Sequence, residues 1–221
     1  MKKYLKDIIL GGQDGLVNVL GIVFVMVAAT HEPRIILISG LAATFAESIS
    51  MAGVGYTSTK TLKDYYCSKW NEEKKESEEN LQEAKKEIEE IYSRKGFQGT
   101  LLNKIVNKIS SNKKVLIETM MREELNLSTE GFEHPVKNAF IIGIAAIFGS
   151  LIPVVPFFFN ISVNLGVLIA IILSSLVLFA TGALKAKMTV GKWWRSGIEL
   201  TLVGMGAAIL GYLVGLLLGL I

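Results

Sequence analysis

Five long apolar segments restrict the fold of this chain more than any other feature. They cover residues 8–29, 35–56, 139–159, 162–184 and 198–221. An α-helix needs about 20 mainly apolar residues to cross the hydrocarbon core of a bilayer, and each segment is about that long. The sequence therefore predicts an all-α integral membrane protein with five transmembrane helices.

The charged residues are concentrated between the second and third apolar segments. They make up 19% of the 221 residues, and most of them fall within residues 60–137. We expect residues 1–59 to hold transmembrane helices 1 and 2, residues 60–137 a cytoplasmic helical domain that continues helix 2, and residues 138–221 transmembrane helices 3–5. The net charge of +3 is mild and the insert mixes both signs, so nucleic acid is not an expected partner.

The charged insert has the pattern of three helices. From residue 55 to residue 94 there is no proline and no cluster of turn residues, which predicts one long helix that leaves the membrane and ends at Gly96. Residues 98–110 carry an apolar stripe at helical spacing, and residues 114–125 follow a Ser-Ser-Asn turn. The insert is predicted to be a three-helix unit rooted in the second span.

Basic residues near the helix ends indicate the orientation, because Lys and Arg in short loops favour the cytoplasmic side. The N-terminus and the insert are then cytoplasmic and the C-terminus lies outside. A cell membrane in a prokaryote and a vacuolar membrane in a eukaryote would show the same topology, so the sequence does not name the membrane. The basic residues that carry this prediction are Lys2, Lys3, Lys6, Lys185, Lys187, Lys192 and Arg195.

Two carboxylates lie inside the apolar segments. Asp14 and Asn18 are four residues apart in the first span, and Glu47 lies one turn before Met51 in the second. A charge at mid-bilayer costs about 2.5–3.5 kcal/mol on insertion scales, which argues for a counter-ion, a proton, a metal or water beside it. A structural alternative stays open, in which Asp14 caps the start of its helix and a protonated Glu47 bonds to a nearby serine.

The insert offers a second set of possible metal ligands. Glu76, Glu79, Glu87 and Glu90 stand at relative positions 0, 3, 11 and 14, which places them within about 80° of one face of a continuous helix. Residues 72–90 contain nine glutamates, so such a pattern also arises by chance, and the spacing alone favours a solvated face. Met120, Met121 and Glu124 follow in the third helix, where adjacent methionines more often serve packing.

Several segments together resemble the vacuolar iron transporter family. DIILGGQDGLVNVLGIV is similar to its first-helix signature and SMAGVGYTS to its second, while IYSRKGF, MMREEL, LIPVVPFFF and GALKAK follow in the family's order. The resemblance implies a homodimer of five-helix subunits, a secondary-type transporter and not an enzyme, without a prosthetic group. Its cargo would be Fe²⁺ and other divalent metals such as Mn²⁺, moved out of the cytoplasm in exchange for protons.

The resemblance also assigns residues. It implies that Asp14 and Met51 line a path between the two subunits, and we add Asn18 and Glu47 to that path. Many relatives have Gly-Glu-Tyr after the second-helix methionine, whereas this chain has Gly-Val-Gly-Tyr at positions 53–56, so we interpret Glu47 as a substitute carboxylate. The implied cytoplasmic metal cluster is Glu76, Glu79, Glu87, Glu90, Met120, Met121 and Glu124.

Two other classes of protein were weighed against a transporter. A membrane-bound di-iron carboxylate protein would be expected to carry Glu-x-x-His pairs, and neither His31 nor His134 stands in one. A non-transporting scaffold with a coiled-coil helix would need sustained apolar heptads, and residues 68–87 contain almost no Leu, Ile or Val.

The last span carries Gly211, Gly215 and Gly219, one glycine every four residues. Such a stripe lets two helices approach closely. From the sequence, it serves either the dimer interface or packing within one subunit, and both interpretations stay open.

Overall fold

The computed structural model describes residues 2–127, 134–159, 161–188 and 191–219. In these ranges the chain forms eight α-helices and one 3-10 turn, Val155–Phe158, which agrees with the predicted all-α class. The helices are α1 Lys2–Thr30, α2 Pro33–Glu79, α3 Leu81–Arg94, α4 Gly99–Ser110, α5 Lys113–Glu123, α6 Pro135–Val154, α7 Val163–Met188 and α8 Trp193–Gly219.

Five of these helices, α1, α2, α6, α7 and α8, are long and apolar enough to cross a membrane. Each contains or overlaps one of the five apolar segments, and α2 continues well beyond residue 56 to Glu79. The third span is completed by the 3-10 turn, because α6 ends at Val154. Residues 220–221 of the fifth predicted span lie outside the described residues.

The chain divides into two compact units. The first consists of Met1–Thr57 and Pro135–Ile221, and the second of Ser58–His134. Helix α2 contributes residues to both, since it runs without a break from Pro33 to Glu79.

Backbone contacts hold α1 and α6 together in the first unit. A Cβ atom added at Gly149 would lie 1.9 Å from the carbonyl oxygen of Gly12, and one at Gly15 would lie 2.5 Å from that of Ala146. Beside these glycines, Leu16 and Leu20 of α1 are completely buried. In a bilayer, where lipid tails are as apolar as leucine, such close approach of small residues is a main source of helix association.

The glycine stripe of α8 packs within one subunit. A Cβ atom at Gly211 would lie 2.5 Å from the carbonyl oxygen of Gly21, and one at Gly215 would lie 2.4 Å from that of Val25. These glycines therefore let α8 meet the backbone of α1. Of the two interpretations that the sequence left open, the structure supports packing inside the subunit.

The predicted single helix from residue 55 to residue 94 is wrong, because the helix is interrupted at Asn80. The Asn80 side chain accepts a hydrogen bond from the Glu83 backbone N–H at 3.3 Å and donates one to the Glu83 carboxylate at 2.7 Å. Asn80 is therefore the N-cap residue that starts α3. The second unit thus contains the end of α2 and three further helices, one more segment than predicted.

A small apolar core joins the helices of the second unit. Ile88 of α3 and Leu116 of α5 are almost wholly buried within it. Gly96 has a φ of +93°, a conformation that suits glycine, and α3 ends two residues before it, as predicted. Ion pairs from Lys113 to Glu78 and from Lys95 to Glu123 connect α5 to α2 and α3.

Candidate metal-binding sites

The three polar side chains of the first two spans come together in the first unit. The Asn18 amide donates to the Asp14 carboxylate at 3.4 Å, so the predicted pair on α1 is formed. The Glu47 carboxylate lies close enough to both side chains to interact with them. Two neighbouring carboxylates repel each other unless they share a proton or a cation, so this cluster is suited to holding one or the other.

One part of the structural alternative does not hold. Asp14 is the thirteenth residue of α1, which begins at Lys2, and therefore does not cap the helix. The other part, a protonated Glu47 bonded to a serine, stays open, because the Ser48 hydroxyl donates to the Thr44 carbonyl oxygen at 2.6 Å and its oxygen can still accept a hydrogen bond.

Met51 is placed differently from the carboxylates. Its side chain is 8% exposed and packs in a small apolar cluster with Ile142 and Ala146 of α6. The structure thus joins Asp14, Asn18 and Glu47, and leaves Met51 in the packing one turn along α2.

In the second unit, Glu73 is a buried carboxylate that the sequence analysis did not select. Its side chain is 6% exposed, and among the described residues its Oε2 atom has no hydrogen-bond partner. Burial, followed by the charges of Glu124, Glu76 and Glu87, raises the pKa of Glu73 to about 7. The Glu73 side chain is therefore the centre of an acidic group drawn from α2, α3 and the end of α5.

A cavity of about 360 Å³ opens beside this group. Glu87 lies on the wall of this cavity. Its pKa is raised by burial and, next in importance, by the negative charge of Glu124. The cavity brings together acidic side chains of α2 and α3 with one thioether from α5. Its lining residues are Glu76, Ser77, Glu79, Asn80, Glu83, Ala84, Glu87 and Met120.

Three of the predicted ligands are less central. Glu79 lines the cavity but is mostly exposed and lies 3.7 Å from Lys75. Glu90 is exposed, lies 3.9 Å from Arg94 and lines a separate surface depression with Lys86. Met121 is completely buried.

The acidic side chains surround the cavity without converging on one point. In the part of the chain that the structure describes, no three His, Cys, Asp or Glu side chains are close enough to share a metal ion. Like charges at short range repel, and a divalent cation would offset that repulsion. The donor set, several carboxylates with a thioether, suits borderline divalent metals such as Fe²⁺ and Mn²⁺.

Glu73 could have been found from one signal in the sequence. It lies three residues before Glu76, so both side chains project from neighbouring positions on the same face of α2. The predicted angular pattern assumed a continuous helix, and the interruption at Asn80 changes the relation between glutamates before and after it. Only the fold selects among the nine glutamates.

Comparisons with known proteins give one family. The model of the VIT family matches residues 5–216. Vacuolar iron transporter 1 of Eucalyptus grandis is 28% identical over 200 residues, covering 90% of this chain and 80% of that protein. The vacuolar iron transporter of Toxoplasma gondii is 31% identical over 228 residues, with 99% and 75% covered. Protein CCC1 of Saccharomyces cerevisiae is 26% identical over 217 residues, with 93% and 66% covered.

Proposed function

The chain belongs to the VIT family, and on that premise we propose that it is a transporter that moves Fe²⁺, with Mn²⁺ as a second cargo, out of the cytoplasm. Its relatives are named vacuolar iron transporters, which supports metal transport by a multi-pass membrane protein. The choice of Fe²⁺ and Mn²⁺, the outward direction of transport and its coupling to protons are all proposed.

The contact of Asp14 and Glu47 carries this proposal. Each lies in a helix long and apolar enough to span a membrane, where an unpaired carboxylate is costly. Together with Asn18 they offer oxygen ligands to a cation that has lost part of its water shell. The role of Met51 in the path stays a prediction: a thioether would favour a borderline metal over Mg²⁺ or Ca²⁺, whereas in one chain this side chain packs against α6.

The same pair of carboxylates provides a route to proton antiport. A site that requires either a proton or a metal between its two carboxylates releases one when it binds the other. Metal moving outward and protons moving inward would then use Asp14 and Glu47 alternately.

The acidic group of the second unit would collect metal on the cytoplasmic side. We assign this role to Glu73, Glu76, Glu87 and Glu124 with Met120, and we place Glu79 at the cavity edge. Glu90 and Met121, which the resemblance also implicates, stay predictions outside this group.

We further propose a homodimer in which a second copy covers the polar cluster. Asn18 is exposed and Asp14 and Glu47 are half-buried in one chain. Ionisable side chains within a membrane almost always face protein or a water-filled cavity rather than lipid. A second copy facing α1 and α2 would place the path between two subunits, with the N-termini and the second units in the cytoplasm.

Metal uptake by proteoliposomes with a fluorescent divalent-ion reporter inside tests the function. The wild type should take up Fe²⁺ and Mn²⁺ in preference to Mg²⁺. Asp14→Ala and Glu47→Gln should each abolish uptake. The matched control is Glu199→Gln, because Glu199 is an exposed carboxylate on α8 outside the cluster, and it should transport normally. Normal transport by Asp14→Ala would show that the path lies elsewhere, and no uptake of any metal by folded wild type would reject the function.

A further inference from the structure

One end of the first unit carries a group of basic and aromatic side chains that the proposed transport does not use. Lys185 and Lys187 lie in the last turn of α7. Lys192 immediately precedes α8, and Trp193, Trp194 and Arg195 form its start. We call Lys6, Lys185, Lys187, Lys192, Trp193, Trp194 and Arg195 the basic end.

The packing of α7 against α8 brings the two halves of the basic end together. A Cβ atom at Gly182 would lie 2.4 Å from the carbonyl oxygen of Ser196, so the two backbones touch at this level. One turn away, the Phe179 and Trp193 rings meet edge to face with their centroids 6.1 Å apart. The cations that follow Gly182 and those that precede Ser196 therefore share one end of the helix pair.

Helix α1 adds Lys6 to the same end. Gly211 of α8 contacts Gly21 of α1, and Gly215 contacts Val25. In both contacts the α8 residue has a number 190 higher than its α1 partner, so the two helices run parallel. The same register places Lys6 level with Ser196. The Lys6 side chain is exposed.

Four of the five cations of the basic end form no ion pair in the part of the chain that the structure describes. They are Lys6, Lys187, Lys192 and Arg195. The Arg195 guanidinium lies 5.2 Å from the centre of the Trp194 ring, a contact that leaves its positive charge in place. These four cations present positive charge at the end of three apolar helices.

We propose that the basic end binds the headgroups of anionic phospholipids in the adjoining leaflet. Groups of four to eight Lys and Arg beside a transmembrane helix attract anionic lipid. A lipid fits better than a soluble anion because Trp193 and Trp194 are 53% and 44% exposed, and such rings settle at the headgroup level. Leu184 and Ile198, also exposed, continue the surface towards the acyl chains. This inference does not depend on the transported metal.

Native mass spectrometry of the purified full chain with added lipid tests the proposal. The wild type should retain phosphatidylglycerol in preference to phosphatidylcholine. The double variant Lys192→Gln/Arg195→Gln should lose about 25-fold in phosphatidylglycerol affinity, since each cation near a membrane surface contributes about fivefold. Its affinity for phosphatidylcholine should stay unchanged.

The matched control is Lys104→Gln/Lys108→Gln, which removes two exposed lysines from α4 in the second unit and should leave lipid binding at the wild-type level. Equal retention of the two lipids by the wild type, or equal losses in both double variants, would overturn the proposal. Displacement of the lipid by millimolar inorganic phosphate would also overturn it, since the site would then be a simple anion site.

The same cations could also set the orientation of the protein in the membrane, and a labelling experiment distinguishes that effect from lipid binding. Cys67 is the only cysteine and is exposed, so a membrane-impermeant maleimide reports the orientation of each variant in cells. If Lys192→Gln/Arg195→Gln changes the labelling, the test moves to Lys192→Arg and to Arg195→Gln alone. The first should bind phosphatidylglycerol as the wild type does, and the second should lose about fivefold; the opposite results would reject the proposal.

Discussion

At the scale of single residues, Glu73 is a carboxylate that the fold buries without giving its Oε2 atom a partner. Its raised pKa, about 7, means that the folded protein holds a proton there which the unfolded chain would release at a lower pH. A cation that enters the acidic group must displace this proton. If metal binds in this acidic group as proposed, its binding is coupled to proton release at Glu73.

We predict that the affinity of the second unit for Mn²⁺ rises with pH up to about 7 and levels off above it. Below the raised pKa of Glu73, each pH unit should cost about tenfold in affinity, because one proton is displaced for each metal bound. Calorimetric titration of the whole protein in buffers of different ionisation enthalpy measures both the affinity and the protons released.

Two substitutions check this assignment. Glu73→Gln should weaken Mn²⁺ binding at pH 8 and lower the proton release by about one at pH 6. Glu90→Gln serves as the control, because Glu90 is exposed and lines a separate depression, and it should bind as the wild type does. The reverse pattern would mean that the glutamate face expected from spacing, and not the buried group, binds the metal.

At the scale of elements, the break between α2 and α3 determines which glutamates meet. Asn80 starts α3 through its reciprocal bonds with Glu83 and lines the cavity. A capping asparagine contributes about 1 kcal/mol to stability. Its replacement would let α2 continue into α3 and turn Glu87 away from Glu73.

We predict that Asn80→Ala lowers stability by about 1 kcal/mol and also weakens Mn²⁺ binding. Asn112→Ala is the matched control, since Asn112 caps α5 by accepting from the Lys114 and Val115 backbone N–H groups and does not line the cavity. Thermal unfolding should show similar losses for both variants, whereas calorimetry should show weaker binding only for Asn80→Ala. Unchanged Mn²⁺ binding by Asn80→Ala would show that metal binding does not depend on the helix break.

The glycine contacts of α8 give a second prediction at this scale. Gly211→Ala should lower the melting temperature, because its Cβ atom would lie 2.5 Å from the Gly21 carbonyl oxygen. Gly206→Ala should be neutral or stabilising by up to about 1 kcal/mol, since nothing lies within 4 Å of that position. Dissociation of a dimer by Gly211→Ala without a change in melting temperature would place the stripe at a subunit interface instead.

At the scale of the whole molecule, the described residues of one chain leave the polar cluster of the first unit partly uncovered. Asn18 is exposed although it lies near the middle of a helix long enough to cross the membrane. Water, lipid headgroups and protein can all bond to an asparagine side chain. At the middle of the bilayer only a protein surface or a water-filled pore is available.

We predict that Asn18→Cys, in a chain that also carries Cys67→Ser, forms a disulfide-linked dimer in membranes under mild oxidation. The control is Ile209→Cys in the same background, because Ile209 is 60% exposed on α8, outside the proposed interface. Gel electrophoresis without reductant should show a dimer band for Asn18→Cys alone. Cross-linking only through position 209 would place the interface on α8.

Some features of this protein follow from its sequence alone. The five apolar segments and the charged insert indicate membrane helices because the cost of moving a segment into lipid depends mainly on its composition and length. The pairing of Asp14 with Asn18 was also predictable, since residues four apart meet on any α-helix. The ordered segments that resemble the family were sufficient to expect a metal transporter.

Other features were decided only by the tertiary structure. The glutamates around Glu73 could not be selected by spacing, because the N-cap at Asn80 interrupts the helix whose regularity the spacing assumes. The contact of Glu47 with Asp14, and the partner of the α8 glycines, join residues far apart in the chain. Such contacts depend on how complete helices pack against one another, which the local pattern of a single helix does not contain.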